Sequence, residues 1–290
     1  MVIIKNFKHQ IILMLNILIL RPVAKNNVLM RSVYKNRREY LALGFLSDMI
    51  INISNTEDNK ITILSGPFEG VKYKKYTNPT EYYGNTELVQ KVFGLYEQEI
   101  LNFISVSHFD KVIDIGAGDG YYGIGLIAKN YVSKAYFYET DDYRASHIKI
   151  NASINDIQSD KILLRKTANP ILILNDIDND GVSQKTLIIC DIEGWEYDLF
   201  TEPFLNDLKK RNVCILLEYH PHLIEKIKNK DSNHDFLKLL KNSYDVTTLD
   251  NMARNMTNQL LFAPLVNDRW LLVSELRSEG IQLLLRENIP

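Results

Sequence analysis

Three glycines spaced by two, Gly116, Gly118 and Gly120, follow directly on the run Val112-Ile113-Asp114-Ile115, which is apolar except for one acid. The run reads as a buried parallel strand and Gly120 to Lys129 as the helix after it, because glycine bounds the run and the next apolar residues recur at helical spacing. Glycines at such a turn let the backbone adopt positive φ and leave no Cβ between it and a ligand. Amides at the start of the helix then face that ligand, and the positive end of the helix dipole favours a carboxylate or phosphate. The stretch therefore predicts a loop that holds a small anionic cofactor.

Gly118 to Gly123 satisfies the dinucleotide pattern G-x-G-x-x-G, but that pattern expects its first glycine directly after the strand, where Gly116 stands. The stretch resembles more fully the first motif of class I S-adenosylmethionine-dependent methyltransferases, with Asp114 inside the strand and Gly116, Gly118 and Gly120 after it. The resemblance implies a second acid at the end of the next strand, where a carboxylate accepts both ribose hydroxyls. Glu139 closes Ala135-Tyr136-Phe137-Tyr138 and fills that place, nineteen residues after Gly120. It further implies cofactor contacts from Asp119, Thr140 and Asp191, and from Tyr96 and Glu97 in the segment Gly94 to Glu99, where such enzymes place groups over the cofactor.

A second motif lies at Asp191-Ile192-Glu193-Gly194-Trp195-Glu196, after the predicted strand Leu187 to Ile192. Ligands of open parallel sheets bind outside the carboxyl ends of the strands, so these acids border the site of the first glycine loop. Asp191, Glu193, Gly194 and Glu196 resemble the Asp-Val-Glu-Gly-x-Glu segment of the FkbM-type methyltransferases, and Val213 to Pro221 resembles that family's strand ending in Glu and His-Pro, here Glu218 and His220-Pro221. The resemblance covers roughly residues 90 to 275. It departs at Ile189-Cys190, where relatives often carry a lysine. The chain also lacks the Asn-or-Asp-Pro-Pro-aromatic segment of enzymes that methylate amide or amino nitrogens, so the resemblance implies a hydroxyl or carboxyl oxygen as acceptor, foremost a hydroxyl on a sugar, a glycolipid or a small natural product. Glu193, Glu218 and His220 are the candidates for the base that takes the acceptor's proton, or for binding a divalent ion that lowers the hydroxyl pKa. No metal-type spacing of ligands marks the sequence itself. Two other classes use the same residues: a nicotinamide-dependent oxidoreductase, and a binding protein that keeps the fold without turnover.

These residues need elements to hold them. Strand and helix alternate after Glu139, with a helix over 141 to 155, strands at Lys161 to Leu164, Leu187 to Ile192 and Val213 to Glu218, a helix over Leu223 to Asn242, and closing strands at Tyr244 to Leu249 and Trp270 to Ser274. Such alternation predicts a Rossmann-like α/β sheet. The resemblance implies seven strands in the order 3-2-1-4-5-7-6, the last one antiparallel. A helix over Glu87 to Phe103 delivers the chain to the central strand. The acids Asp176 to Asp180 read as a solvated turn, since their spacing fails the EF-hand pattern. Met252 to Val266 has no clear period and is expected to line an acceptor pocket.

Residues 1 to 85 form an N-terminal extension with a small cap, and 86 to 290 the cofactor-binding domain. In the extension, Ile61 to Leu64 and Val71 to Tyr76 predict a hairpin whose lysines 72, 74 and 75 face water. Ile11 to Leu20 is a short apolar run behind Lys5 and Lys8, and residues 1 to 40 hold eight Lys or Arg against one acid. A helix packed on the domain or on a partner chain such as a second copy, a basic helix on a membrane surface, and a secretion signal are the open readings of residues 1 to 20.

Among 290 residues, 46% hydrophobic and 24% charged content describe a globular chain, and a net charge of -2 gives no field that draws nucleic acid. Only Cys190 and Cys214 occur, both in predicted core strands, which suits a reduced, cytoplasmic protein.

Overall fold

Strands that are apolar on both faces belong in the middle of a layered α/β fold, because only there are both faces covered. β3 (Lys111–Ile115), β4 (Lys134–Tyr138), β6 (Thr186–Cys190) and β7 (Val213–Tyr219) are of this kind, buried along nearly their whole length. The computed structural model describes residues 60–74, 91, 92, 94, 96–179, 184–249 and 269–274. The chain divides into two compact units, one of residues 1–98 with 251–263 and one of 99–250 with 264–290. The expected boundary at residue 85 falls outside the described residues.

In the larger unit the sheet has seven strands in the order β5-β4-β3-β6-β7-β9-β8, with β5 at Ile162–Arg165, β8 at Asp245–Thr248 and β9 at Arg269–Ser274. β3 to β7 run parallel, and β9 enters antiparallel between β7 and β8. Counted from β3, this is the order 3-2-1-4-5-7-6 that the resemblance implied. The register pairs Ile115 with both Tyr138 and Cys190, and Cys190 with Leu217. Glu139, Gly116, Asp191 and Glu218, each one residue further on, therefore lie in a row across the carboxyl edge of the sheet.

One face of the sheet presents Ile113, Ile115, Tyr136, Tyr138, Ile188, Cys190, Ile215, Leu217 and Tyr219 to a core built with helices α4 (Pro170–Asp178), α5 (Glu196–Leu199), α6 (Glu202–Leu208), α7 (Pro221–Ile227) and α8 (Lys230–Ser243). On the other face α2 (Tyr121–Ala128) lies so close to β4 that a Cβ at Gly123 would overlap the Phe137 ring. α1 (Gln98–Ser105) leads into β3, and α3 (Asp142–Ile154) is started by the Asp141 side chain, which accepts from the amides of Tyr143 and Arg144.

Three expectations from the sequence are corrected. Asp176 and Asp178, expected in a solvated turn, end the helix Pro170–Asp178 instead, with Asp180 outside the described residues: Asn169 caps it, Pro170 occupies its first turn, and Ile173 and Ile177 bury one face. The predicted helix from Leu223 to Asn242 is two helices, because Lys228 leaves helical geometry and Asn229 starts a new helix by accepting from Asp231 and Ser232. The predicted helix over Glu87 to Phe103 is interrupted, since Gly94 and Glu97 adopt φ of 64° and 42° before α1 begins; residues 87 to 90 lie outside the description.

In the smaller unit the hairpin is present. β1 (Lys60–Thr62) pairs antiparallel with β2 (Lys72–Lys74), with Ile61 opposite Tyr73 and both buried while Lys72 faces water. Lys75, Tyr76, residues 1 to 20 and Met252 to Val266 are not among the described residues. No described helix is long and apolar enough to cross a membrane.

Candidate functional site

The glycine loop is organised by two carboxylates that come from neighbouring strands. Asp114, almost fully buried in β3, accepts a hydrogen bond from the Gly123 amide at 3.1 Å and so ties the first turn of α2 to the strand beneath it. No side chain caps that helix locally, and its N-cap Gly120 sits at φ 80°. Glu139, at the end of β4, accepts from the Gly118 amide at 2.7 Å through Oε2 and from the Asp141 amide at 2.8 Å through Oε1. A carboxylate has about four lone-pair positions, so two remain for hydroxyl donors.

The three motif glycines all have positive φ, at 76°, 57° and 80°. Sequence reasoning gave that freedom to the ligand, and the structure gives part of it to packing. A Cβ on Gly116 would overlap the carbonyl oxygen of Asp191, so this glycine lets the ends of β3 and β6 close up. Asp119 is buried, and its carbonyl accepts from the Asn151 amide nitrogen at 2.8 Å, joining the loop to α3. Thr140 is exposed beside Glu139.

A second group forms where β6 and β7 end. His220 is 4% exposed and its Nδ1 lies 2.8 Å from Oε1 of Glu196, itself fully buried. A carboxylate oxygen accepts, so Nδ1 donates to Glu196 and Nε2 is turned toward the other acids. Nε2 points at three further carboxylates, Asp191 at 3.6 Å, Glu193 at 3.7 Å and Glu218 at 3.8 Å. These lie beyond the range of an N–H···O bond. Glu193 adopts φ 53°, a left-handed conformation that costs a non-glycine residue of order 1–3 kcal/mol and gathers at functional sites. Burial and the neighbouring acids Glu196, Asp191 and Asp114 push the Cys190 thiol well up, and burial pushes Cys214 up to about 12. Neither thiol is a nucleophile at neutral pH.

The structure thus brings Asp191, Glu193 and Glu218 around the His220 imidazole, and Asp114 and Glu139 against the loop of Gly116, Gly118, Asp119 and Gly120. Tyr96 and Glu97 belong to the smaller unit, where the Lys91 ammonium sits 4.9 Å over the Tyr96 ring. Glu196 was missed as a site residue. It stood in the same motif as Asp191 and Glu193, but its contact with His220 spans 24 residues and follows only from the pairing of β6 with β7.

The chain matches no protein-family profile and no curated protein. Solved structures do resemble it. The O-methyltransferase TomG from Streptomyces achromogenes, involved in tomaymycin synthesis and solved with SAM, is 14% identical with a TM-score of 0.44, over 70% of this chain and 92% of that one. TYW2 from P. horikoshii, in complex with MeSAdo, is 14% identical with a TM-score of 0.40, over 75% and 70%. Spermidine synthase from Thermotoga maritima is 16% identical with a TM-score of 0.39, over 60% and 56%. At these scores the likenesses carry no weight in the reading of the site, which rests on its own residues.

Proposed function

We propose that the protein is an S-adenosylmethionine-dependent methyltransferase of the FkbM type, which methylates a hydroxyl on a sugar, a glycolipid or a small natural product. The observation that carries this reading is Glu139: its carboxylate is fixed by the Gly118 and Asp141 amides at the edge of the glycine loop and keeps lone pairs for a vicinal diol. S-adenosylmethionine supplies an electrophilic methyl group on a sulfonium. Glu139 binds its ribose, and the positive end of the α2 dipole favours its carboxylate.

On the acceptor side, positioning of the reacting groups is worth roughly 7–11 kcal/mol of barrier, and proton removal from the hydroxyl a further ~10²–10⁴-fold. Glu193, Glu218 and His220 are the groups assigned to the proton, or to a divalent ion that lowers the hydroxyl pKa. Their place next to Asp191, one strand from Gly116, supports that assignment.

Calorimetric titration of the full chain with S-adenosylmethionine, S-adenosylhomocysteine and NAD tests the reading. Saturable binding of the first two and none of NAD is expected, and NAD binding in their place overturns it. A screen of acceptor extracts with methyl-labelled cofactor then separates a methyltransferase from a protein that binds without turnover.

A further inference from the structure

We infer that Asp191, Glu193 and His220 form a binding site for a divalent first-row cation. One oxygen from each of the two acids and one imidazole nitrogen lie within 4.8 Å of one another. Ligands held about 2.1 Å from one ion are separated by roughly 3.0–3.5 Å when adjacent and roughly 4.2 Å when opposite. The distances of 3.6 Å and 3.7 Å from Nε2 to Asp191 and Glu193 are too long for hydrogen bonds and within about 0.2 Å of the separation of adjacent ligands.

The imidazole is what makes this more than a patch of acids. His220 is almost fully buried, and Glu196 holds its Nδ1 at 2.8 Å. That is the carboxylate–histidine arrangement which fixes the tautomer and ring orientation of a metal ligand and leaves Nε2 to coordinate. One imidazole with two carboxylates suits Mn²⁺, Fe²⁺ or Zn²⁺ better than an all-oxygen Ca²⁺ site. Three protein ligands leave coordination positions for water or for acceptor oxygens. The ion would then polarise the acceptor hydroxyl, with Glu218, 3.8 Å from Nε2, left to take its proton. That last role, unlike the binding itself, rests on the methyl-transfer reading.

The test is titration of the full chain with Mn²⁺ alone, followed by electron paramagnetic resonance. One saturable site is expected, with ¹⁴N modulation from the imidazole in the spin-echo signal. Glu193→Gln changes a side chain that is 59% exposed, so its fold should be unaffected while Mn²⁺ affinity falls at least tenfold. Glu196→Gln acts on the ring from behind and should weaken binding ~10–100-fold. Absence of a saturable site, absence of the nitrogen modulation, or unchanged affinity in both Asp191→Asn and Glu193→Gln overturns the inference. In parallel titrations, S-adenosylmethionine binding without a Mn²⁺ site removes this inference alone. A Mn²⁺ site without S-adenosylmethionine binding removes the methyl-transfer reading alone.

Discussion

The acids of α4 and the acids at the ends of β6 and β7 are held in opposite ways. Asp176 takes both arms of Arg165 at 2.6 and 2.7 Å and the Tyr138 hydroxyl at 2.5 Å. Asp178 takes Arg211 at 2.6 and 2.7 Å. The buried Lys111 ammonium donates to the carbonyls of Asp176 and Ile177, at the carboxyl end of α4 where the helix dipole favours a cation. Every acid there has a bidentate arginine. Burial, with the bond to Asp176, pushes the Tyr138 hydroxyl far up, so it remains a donor at any ordinary pH. At the other place four carboxylates share one imidazole. Balanced charge locks a helix to a sheet, whereas gathered like charge costs stability and persists where a cation or a proton has work to do there.

If that contrast is right, the two groups answer mutation differently. Asp176→Ala leaves a buried phenol and a partly buried guanidinium without their acceptor, and should cost about 3 kcal/mol in urea unfolding. Cofactor affinity of the folded fraction should stay as it was; a loss of affinity with stability unchanged would break the contrast.

A smaller effect separates the groups by pH. The Arg211 guanidinium holds the Asp178 carboxyl below the usual carboxylate range. A folded value below the unfolded one means stability that is present above ~4 and lost as pH falls through the folded value. The pair is partly exposed, so about 0.2–1 kcal/mol is at stake. The stability gap between wild type and Asp178→Asn should therefore be flat at neutral pH and shrink only below ~4.

The smallest stability change is expected at Glu193. Glu193→Gln alters an exposed side chain and should move unfolding by less than ~0.5 kcal/mol while lowering methyl transfer. A large loss of stability would put Glu193 with the structural acids.

The sheet was legible in the sequence because β3, β6 and β7 are apolar runs bounded by glycine, acid or proline, and their order came from the resemblance of the motifs. The helix α4 was hidden because acids fill its last turn, although Asn169-Pro170 is a cap followed by a first-turn proline. The break at Asn229 has the same kind of cue, an asparagine that caps what a hydrophobic period runs across. In the site, Asp114 and Glu139 were readable from spacing and resemblance, but not that both would bind backbone amides, since Gly118 reaches Glu139 only after β3 and β4 pair and Gly123 reaches Asp114 only once α2 folds back on β3. The convergence of Glu196 on His220 needs the register of two strands.

The central claim is that the glycine loop with Glu139 holds S-adenosylmethionine. Its most direct test is the dissociation constant of that cofactor for wild type and Glu139→Ala, measured side by side by calorimetry with circular dichroism as the check on folding. Loss of hydrogen bonds to a charged group predicts binding weaker by about 1.5–3 kcal/mol, roughly 10–150-fold. An unchanged constant in a folded Glu139→Ala protein would contradict the account.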